Sequence, residues 1–278
     1  MATKKSTTNE NKSMVRWDEE LAKQAEVAAA MENSTATGQF FSMRGGQLTF
    51  NDAPMPGNRV LVVVLDTLLE NIFYTGKFNP EEPSGPACFA FGRDDKDMAP
   101  HELAQDKQSE KCMDCPNNQW GTADTGRGKA CRNTRRLALI PAGSFNARGE
   151  AEVVEDAEHY NTAALAFMKL PVTSVKGYAA FVKSLAGTLK RPPHGVFTRI
   201  SVVPDPKTQF KVVFDPVKSI PNALMATIMD RVKEAKSVID FPYQPVDDAA
   251  PARKTSHAPA RAPRGSTQKP AKKSGRKF

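Results

Sequence analysis

Four cysteines, Cys88, Cys112, Cys115 and Cys131, gather in one part of the chain, and residues 112–131 read CMDCPNNQWGTADTGRGKAC. This stretch is polar and rich in turn formers, with almost no core of its own, so the cysteines have to organise it. No apolar run approaches the roughly 20 residues a bilayer requires, and MATKKSTTNENKS at the N-terminus lacks the apolar stretch of a signal peptide. A reducing cytoplasm is the expected setting, where thiols stay free unless a metal or a catalytic cycle uses them. Zinc takes four ligands in a tetrahedron, and thiolates separated by two residues reach one ion from a tight turn. Cys112 and Cys115 supply that knuckle, Pro116 and the asparagines after it favour the turn, and Cys88 and Cys131 come from the ends of flanking strands. The expectation is a structural Zn2+ held by four thiolates, with the metal supplying the missing folding free energy. Three other readings stay open: His101 in place of one cysteine, an iron–sulfur cluster on the same ligands, and buried strand thiols beside a redox pair.

Charge points to a tail. The 278 residues carry a net charge of +8, yet residues 251–278 hold Arg253, Lys254, Arg261, Arg264, Lys269, Lys272, Lys273, Arg276 and Lys277 and no acid. Without those nine cations residues 1–250 stand at −1, so the basic balance belongs to the tail. From residue 246 onward Pro, Ala, Ser, Lys and Arg dominate, a composition that cannot offset chain entropy by burial. Ahead of it, 40% hydrophobic and 25% charged residues describe a globular protein.

Periodicity sets out the rest. Arg16 to Asn33 reads as a helix with acids in its first turn, in an N-terminal arm covering residues 1–37. QFFSM and QLTFN flank Arg44-Gly45-Gly46, a hairpin signal, and Arg59 to Asp66 (RVLVVVLD) is an apolar, β-branched strand. Strands are also expected at Ala87–Phe91, Arg135–Ile140, Thr162–Leu170, Gly195–Val203 and Gln209–Phe214. A helix follows Ser174, its expected N-cap, with Val175, Tyr178, Phe181, Val182, Leu185 and Leu189 on one face. Another runs from Pro221 to about Val238. The fold class expected is mainly β with a few helices, an OB-fold-like barrel over residues 38–245 interrupted by a zinc insertion at 88–131.

Cations and rings cluster on that insertion. GRGKACRNTRR places Arg127, Lys129, Arg132, Arg135 and Arg136 close together, able to contact successive phosphates; the competing reading is a solvated strand edge. Trp120, in a polar loop, and Tyr74 are the rings expected to be exposed, interleaved with Lys77, Arg93, Arg127 and Lys129 as single-strand binding requires. A phosphate loop is excluded, because Arg127 stands where lysine is needed after Gly126 and Ala130 replaces Ser/Thr. His101, His159, His194 and His257 lie far apart and form no catalytic motif, so no enzyme is expected; Asp66 and Glu70 are the acids a magnesium-dependent nuclease would use.

GQFFSMRGGQLTF, CFAFGR, CMDCPNNQW and RGKACRNTRRLALI together resemble a family of tailed-phage proteins found among genes for DNA metabolism, over roughly residues 38–240. More loosely, an OB-fold with a zinc insertion is similar to phage single-stranded DNA-binding, helix-destabilising proteins. The resemblance implies zinc on the four cysteines, the basic run facing single-stranded DNA, and a role in phage replication or recombination alongside its protein partners in the host cytoplasm. Those binders commonly end in an acidic tail closing on phenylalanine; this chain ends in Phe278, but on a basic tail. The alternatives are a zinc-module interaction protein docking on polymerase or host machinery, and a metal-dependent nuclease or recombination enzyme.

Overall fold

A computed structural model describes Leu21 and residues 39–76, 84–124 and 127–243. The expected helix at 16–33, Lys77 and the basic tail lie outside the described residues, Leu21 aside. The fold is mainly β with few helices, built on a nine-stranded sheet that curls into a half-barrel.

The strands are β1 (Gln39–Arg44), β2 (Gln47–Phe50), β3 (Ala53–Pro54), β4 (Arg59–Phe73), β5 (Cys88–Gly92), β6 (Arg132–Pro141), β9 (Ala166–Leu170), β10 (Val196–Asp205) and β11 (Gln209–Ser219), with β7 (Gly143–Phe145) and β8 (Ala151–Val153) forming a separate hairpin. Their order across the sheet is β11-β10-β4-β6-β9-β1-β2-β3, with β5 pairing the far half of β4. The expected hairpin forms: Gly45 (φ 58°) and Gly46 (φ 79°) take the left-handed turn that glycine tolerates.

The strand RVLVVVLD extends far past Asp66, to Phe73. A register shift between Val64 and Asp66 against β6 marks a bulge. Before it β4 pairs with β10, and after it with β5. Bulges bend and twist a strand, so one long element serves two neighbourhoods.

Both faces of β4 are buried. Val60, Val62 and Val64 join Leu137, Leu139, Met168 and Val212 in a core closed by helix α2 (Val172–Thr188) through Tyr178, Phe181 and Leu185. Leu61, Val63 and Leu65 join Ala138, Ile140, Phe167 and Phe197 on the other face, closed by helix α3 (Asn222–Val238) through Leu224, Ile228 and Val232. A sheet covered on both sides needs an unbroken apolar strand, and that is what residues 60–65 are. A third helix, α1 (Ala157–Thr162), is capped by Asp156, whose carboxylate accepts from the Glu158 N–H; it ends at Thr162, where the sequence suggests a strand begins, and β9 begins only at Ala166.

The curl is tied by Asn58. Its side-chain amide donates to Gly46 O (2.6 Å) and Val202 O (3.3 Å), while its oxygen accepts from Leu48 N (2.6 Å). The β1–β2 hairpin is thereby drawn toward β10, and Gly46 packs against Phe210. Ser174 departs from expectation: α2 starts at Val172, and the buried Ser174 hydroxyl accepts from Val212 N instead (3.0 Å), satisfying an N–H on the outer edge of β11.

Candidate metal centre and nucleic-acid interface

The far half of β4, β5 and the start of β6 form the platform of the insertion. Cys88 opens β5 opposite Phe73, and Cys131 sits immediately before Arg132, the first residue of β6, which faces Ile72. Two strand ends therefore deliver two thiols to one place. The knuckle is folded over them by backbone bonds: Cys112 N donates to Met98 O (2.9 Å), Asn118 N to Cys115 O (3.0 Å) and Cys131 N to Asn117 O (2.7 Å). Pro116–Asn118 forms the expected tight turn.

All four cysteines are buried and free, and all four line a single cavity of about 20 Å3, with Asn71, Phe73 and Gln108 among its other walls. The backbone N–H groups of Gln108 and Ile72 and the Asn71 amide partly offset the burial of Cys88, Cys131 and Cys112. Burial raises the thiol pKa of Cys88, Cys112 and Cys131, with neighbouring thiols adding to it, and pushes Cys131 up to about 12. Four thiols lining one cavity, three of them near N–H donors, are a donor set that suits a soft cation. The side chains are gathered but not drawn in: among the described residues no group of three or more His, Cys, Asp or Glu side chains is closed tightly enough to hold an ion. Backbone pairing decides the convergence of the four cysteines on one cavity. His101 is turned elsewhere, stacked on Phe89 (5.0 Å between centroids), with Nδ1 accepting from Leu103 N (3.1 Å), and it does not line the cavity.

Of the expected nucleic-acid contacts, four stand on open surface. Trp120 is 79% exposed, and the Lys129 ammonium lies 5.7 Å from its ring centre. Arg127 is exposed beside them. The Arg132 guanidinium lies 5.6 Å from the ring of Tyr74, which is half-buried and whose pKa burial raises. Tyr74 and Arg132 line a groove of about 460 Å3 together with Ser42, Met43, Lys169 and Phe210. The sequence reading missed Lys169 and Phe210. The one signal for Lys169 is that it is the lone polar residue in AFMKL; nothing in the sequence brings Phe210 close.

The other arginines are enclosed, turned to another face or held in a surface ion pair. Arg136 is 4% exposed: it pairs with Glu70 (2.5 Å), donates to Ile239 O and Phe241 O, and lies over the rings of Phe241 (3.9 Å) and Phe91 (4.4 Å). Such an enclosed guanidinium cannot reach a phosphate. The alternation of β6 puts Arg135 on the α2 face beside Tyr178, away from the groove. Arg93 forms a forked pair with Asp66 (2.9 and 2.7 Å). Both acids of the magnesium reading already have partners: Asp66 pairs with Arg93, and Glu70, fully buried, bonds Arg136, Tyr243 (2.8 Å) and Thr134 (3.1 Å).

Lys169 donates to the Tyr243 hydroxyl (2.7 Å), and burial pulls its pKa below the ordinary lysine value while Glu70 opposes the shift. Tyr243 is thereby held beside the groove that Lys169 lines. Among the described residues no helix is long and apolar enough to cross a membrane. Comparison with family models, curated proteins and solved structures finds no match for this chain.

Proposed function

We propose that this chain binds single-stranded DNA without strong sequence dependence, through an OB-fold-like barrel whose insertion is stabilised by Zn2+. The pairings β4–β6, β6–β9, β4–β10 and β10–β11, with α2 between β9 and β10, follow the OB connectivity of five strands. In that scheme β1, parallel to β9, fills the seam that a closed barrel pairs directly.

The observation that carries the reading is the make-up of the groove. Its walls are Thr134 on β6 and Lys169 on β9, Tyr74 and Arg132 at the two ends of the insertion, and Phe210 at the β10–β11 hairpin. In an OB-fold these are the second and third strands, the first connection and the last hairpin, the surfaces that take oligonucleotides. Rings stack with bases and cations track phosphates there, with Trp120 and Lys129 extending the same chemistry onto the insertion. Cys88, Cys112, Cys115 and Cys131 would hold the zinc, which supplies cross-linking of a segment with little apolar core. On the resemblance, the setting is phage replication or recombination in the host cytoplasm, with the basic tail adding non-specific attachment.

Fluorescence anisotropy of the full chain with matched single- and double-stranded oligonucleotides over a salt series tests this. Single-strand binding should dominate, and Tyr74→Ala and Lys169→Ala should weaken it. Equal affinity for both forms, unaffected by either substitution, would leave the tail as the only contact and sink the proposal.

A further inference from the structure

The insertion carries a second cavity outside the stacking groove. It measures about 330 Å3, the low end of the range for small-ligand sites, and lies between the knuckle, β4, β6 and Val175 of α2. Leu69, Met98 and Met113 give it apolar walls. Lys129, whose ammonium faces the Trp120 ring, reaches in from the exposed side.

Its polar lining is locked in one orientation. Asn133 donates both amide hydrogens, to Asn71 Oδ1 (2.6 Å) and Asn118 Oδ1 (2.9 Å), and Lys129 donates to the same Asn118 oxygen (3.2 Å). Gln119 donates to Met113 O (3.0 Å) and Cys115 O (3.3 Å). With their donors spent, Asn133 and Gln119 offer only carbonyl oxygens, the exposed Asp95 carboxylate offers two more acceptors, and Lys129 keeps hydrogens to give.

Three acceptor groups beside one ammonium complement a base edge that carries an exocyclic amine next to a ring nitrogen or carbonyl. Cytosine, adenine and guanine have such an edge. Thymine has no amine: its single N–H is flanked by two carbonyls, which would face acceptors and leave them unpaired. Resting on the single-strand reading above, we infer that this cavity takes one unstacked base from the bound strand and selects an amino-bearing base over thymine. The barrel groove supplies affinity that ignores sequence; the insertion adds a preference at one position.

The test compares an all-dT oligonucleotide with the same length carrying a single central dC or dA, by anisotropy on the full chain at fixed salt. One amino-bearing base should tighten binding about tenfold, the scale of one well-placed base contact. Asp95→Ala removes an acceptor with no described partner, so it does not threaten the fold; it should cut that ratio while leaving binding to oligo-dT no weaker. Gln119→Ala gives a second reading of the same ratio. Equal affinity for all three oligonucleotides overturns the inference and leaves the groove reading intact, as does a preference that survives both substitutions. Absence of single-strand binding to any of them overturns both.

Discussion

The layered sheet and the insertion it carries are held by different means. In the sheet, β4 and β6 bury both faces between α2 and α3, and large side chains such as Phe197, Leu137 and Ile140 are wholly enclosed. In the insertion, the two small clusters contain two of the cysteines themselves, Cys88 with Phe89 and Ala104, and Cys112 with Ala90 and Met98. Its remaining order comes from turn-like backbone bonds and from side chains bonded to backbone oxygens, as with Asn118, Gln119 and Thr122. Apolar burial scales with area, at about 25 cal/mol per Å2, so the sheet has it in quantity and the insertion does not. The lesson is that the two are held by different means and can fail separately.

The junction between the regions gives the largest expected effect. Arg136→Met strands the Glu70 carboxylate in the interior, and breaking a buried pair this way costs about 3–5 kcal/mol. Replacing both, Glu70→Leu with Arg136→Met, should recover much of that loss in denaturant melts; if the single and double variants are equally unstable, the pair is not what joins β4, β6 and the segment Ile239–Tyr243. Next comes metal removal. Chelation, or Cys112→Ser with Cys115→Ser, should release one equivalent of zinc and expose amides of residues 88–131 to hydrogen exchange while those of β6 and β10 stay protected. No zinc in the purified protein, with exchange unchanged by the substitutions, would erase the contrast.

A smaller change probes the sheet alone. Ser174→Ala leaves the Val212 N–H without its acceptor and should cost about 1–3 kcal/mol, read as a lower denaturation midpoint with the insertion still protected. Smallest in stability is Trp120→Ala. At 79% exposure the ring contributes little to folding, so the midpoint should shift by no more than about 0.5 kcal/mol. Single-strand affinity should fall by about 1–3 kcal/mol, the worth of one stacked base. Unchanged affinity would move the binding surface off the insertion and onto the groove alone.

Elements with strong local signals were legible in the sequence. Gly45 and Gly46 mark the hairpin, the run RVLVVVLD marks the central strand, and spaced apolar residues mark both long helices, because period and turn chemistry are local properties. The pooling of four cysteines was equally plain, and their convergence follows from two of them ending strands that pair with β4. Short elements escaped: α1 has six residues, of which only Thr162 falls in an expected element, and β3 has two residues.

The basic run shows where sequence stops. Arg127, Lys129, Arg132, Arg135 and Arg136 look alike as a string of charges, yet Arg132 lines the groove and Arg136 is sealed among rings against a carboxylate 66 residues away in sequence. Arg132 and Arg136 lie on the same face of β6, four residues apart, so alternation does not separate them; the packing of residues 239–243 over the Arg136 end does. The curl was decided in the same way, by Asn58 reaching Val202 across 144 residues, and so was the meeting of Lys169 and Phe210. Sequence alone determined the presence of the long strands, the two long helices and the supply of thiols, because those depend on neighbours along the chain. Which cations stay free, where the groove opens and what lines the second cavity were left to tertiary structure, because each depends on which distant segments come to lie side by side.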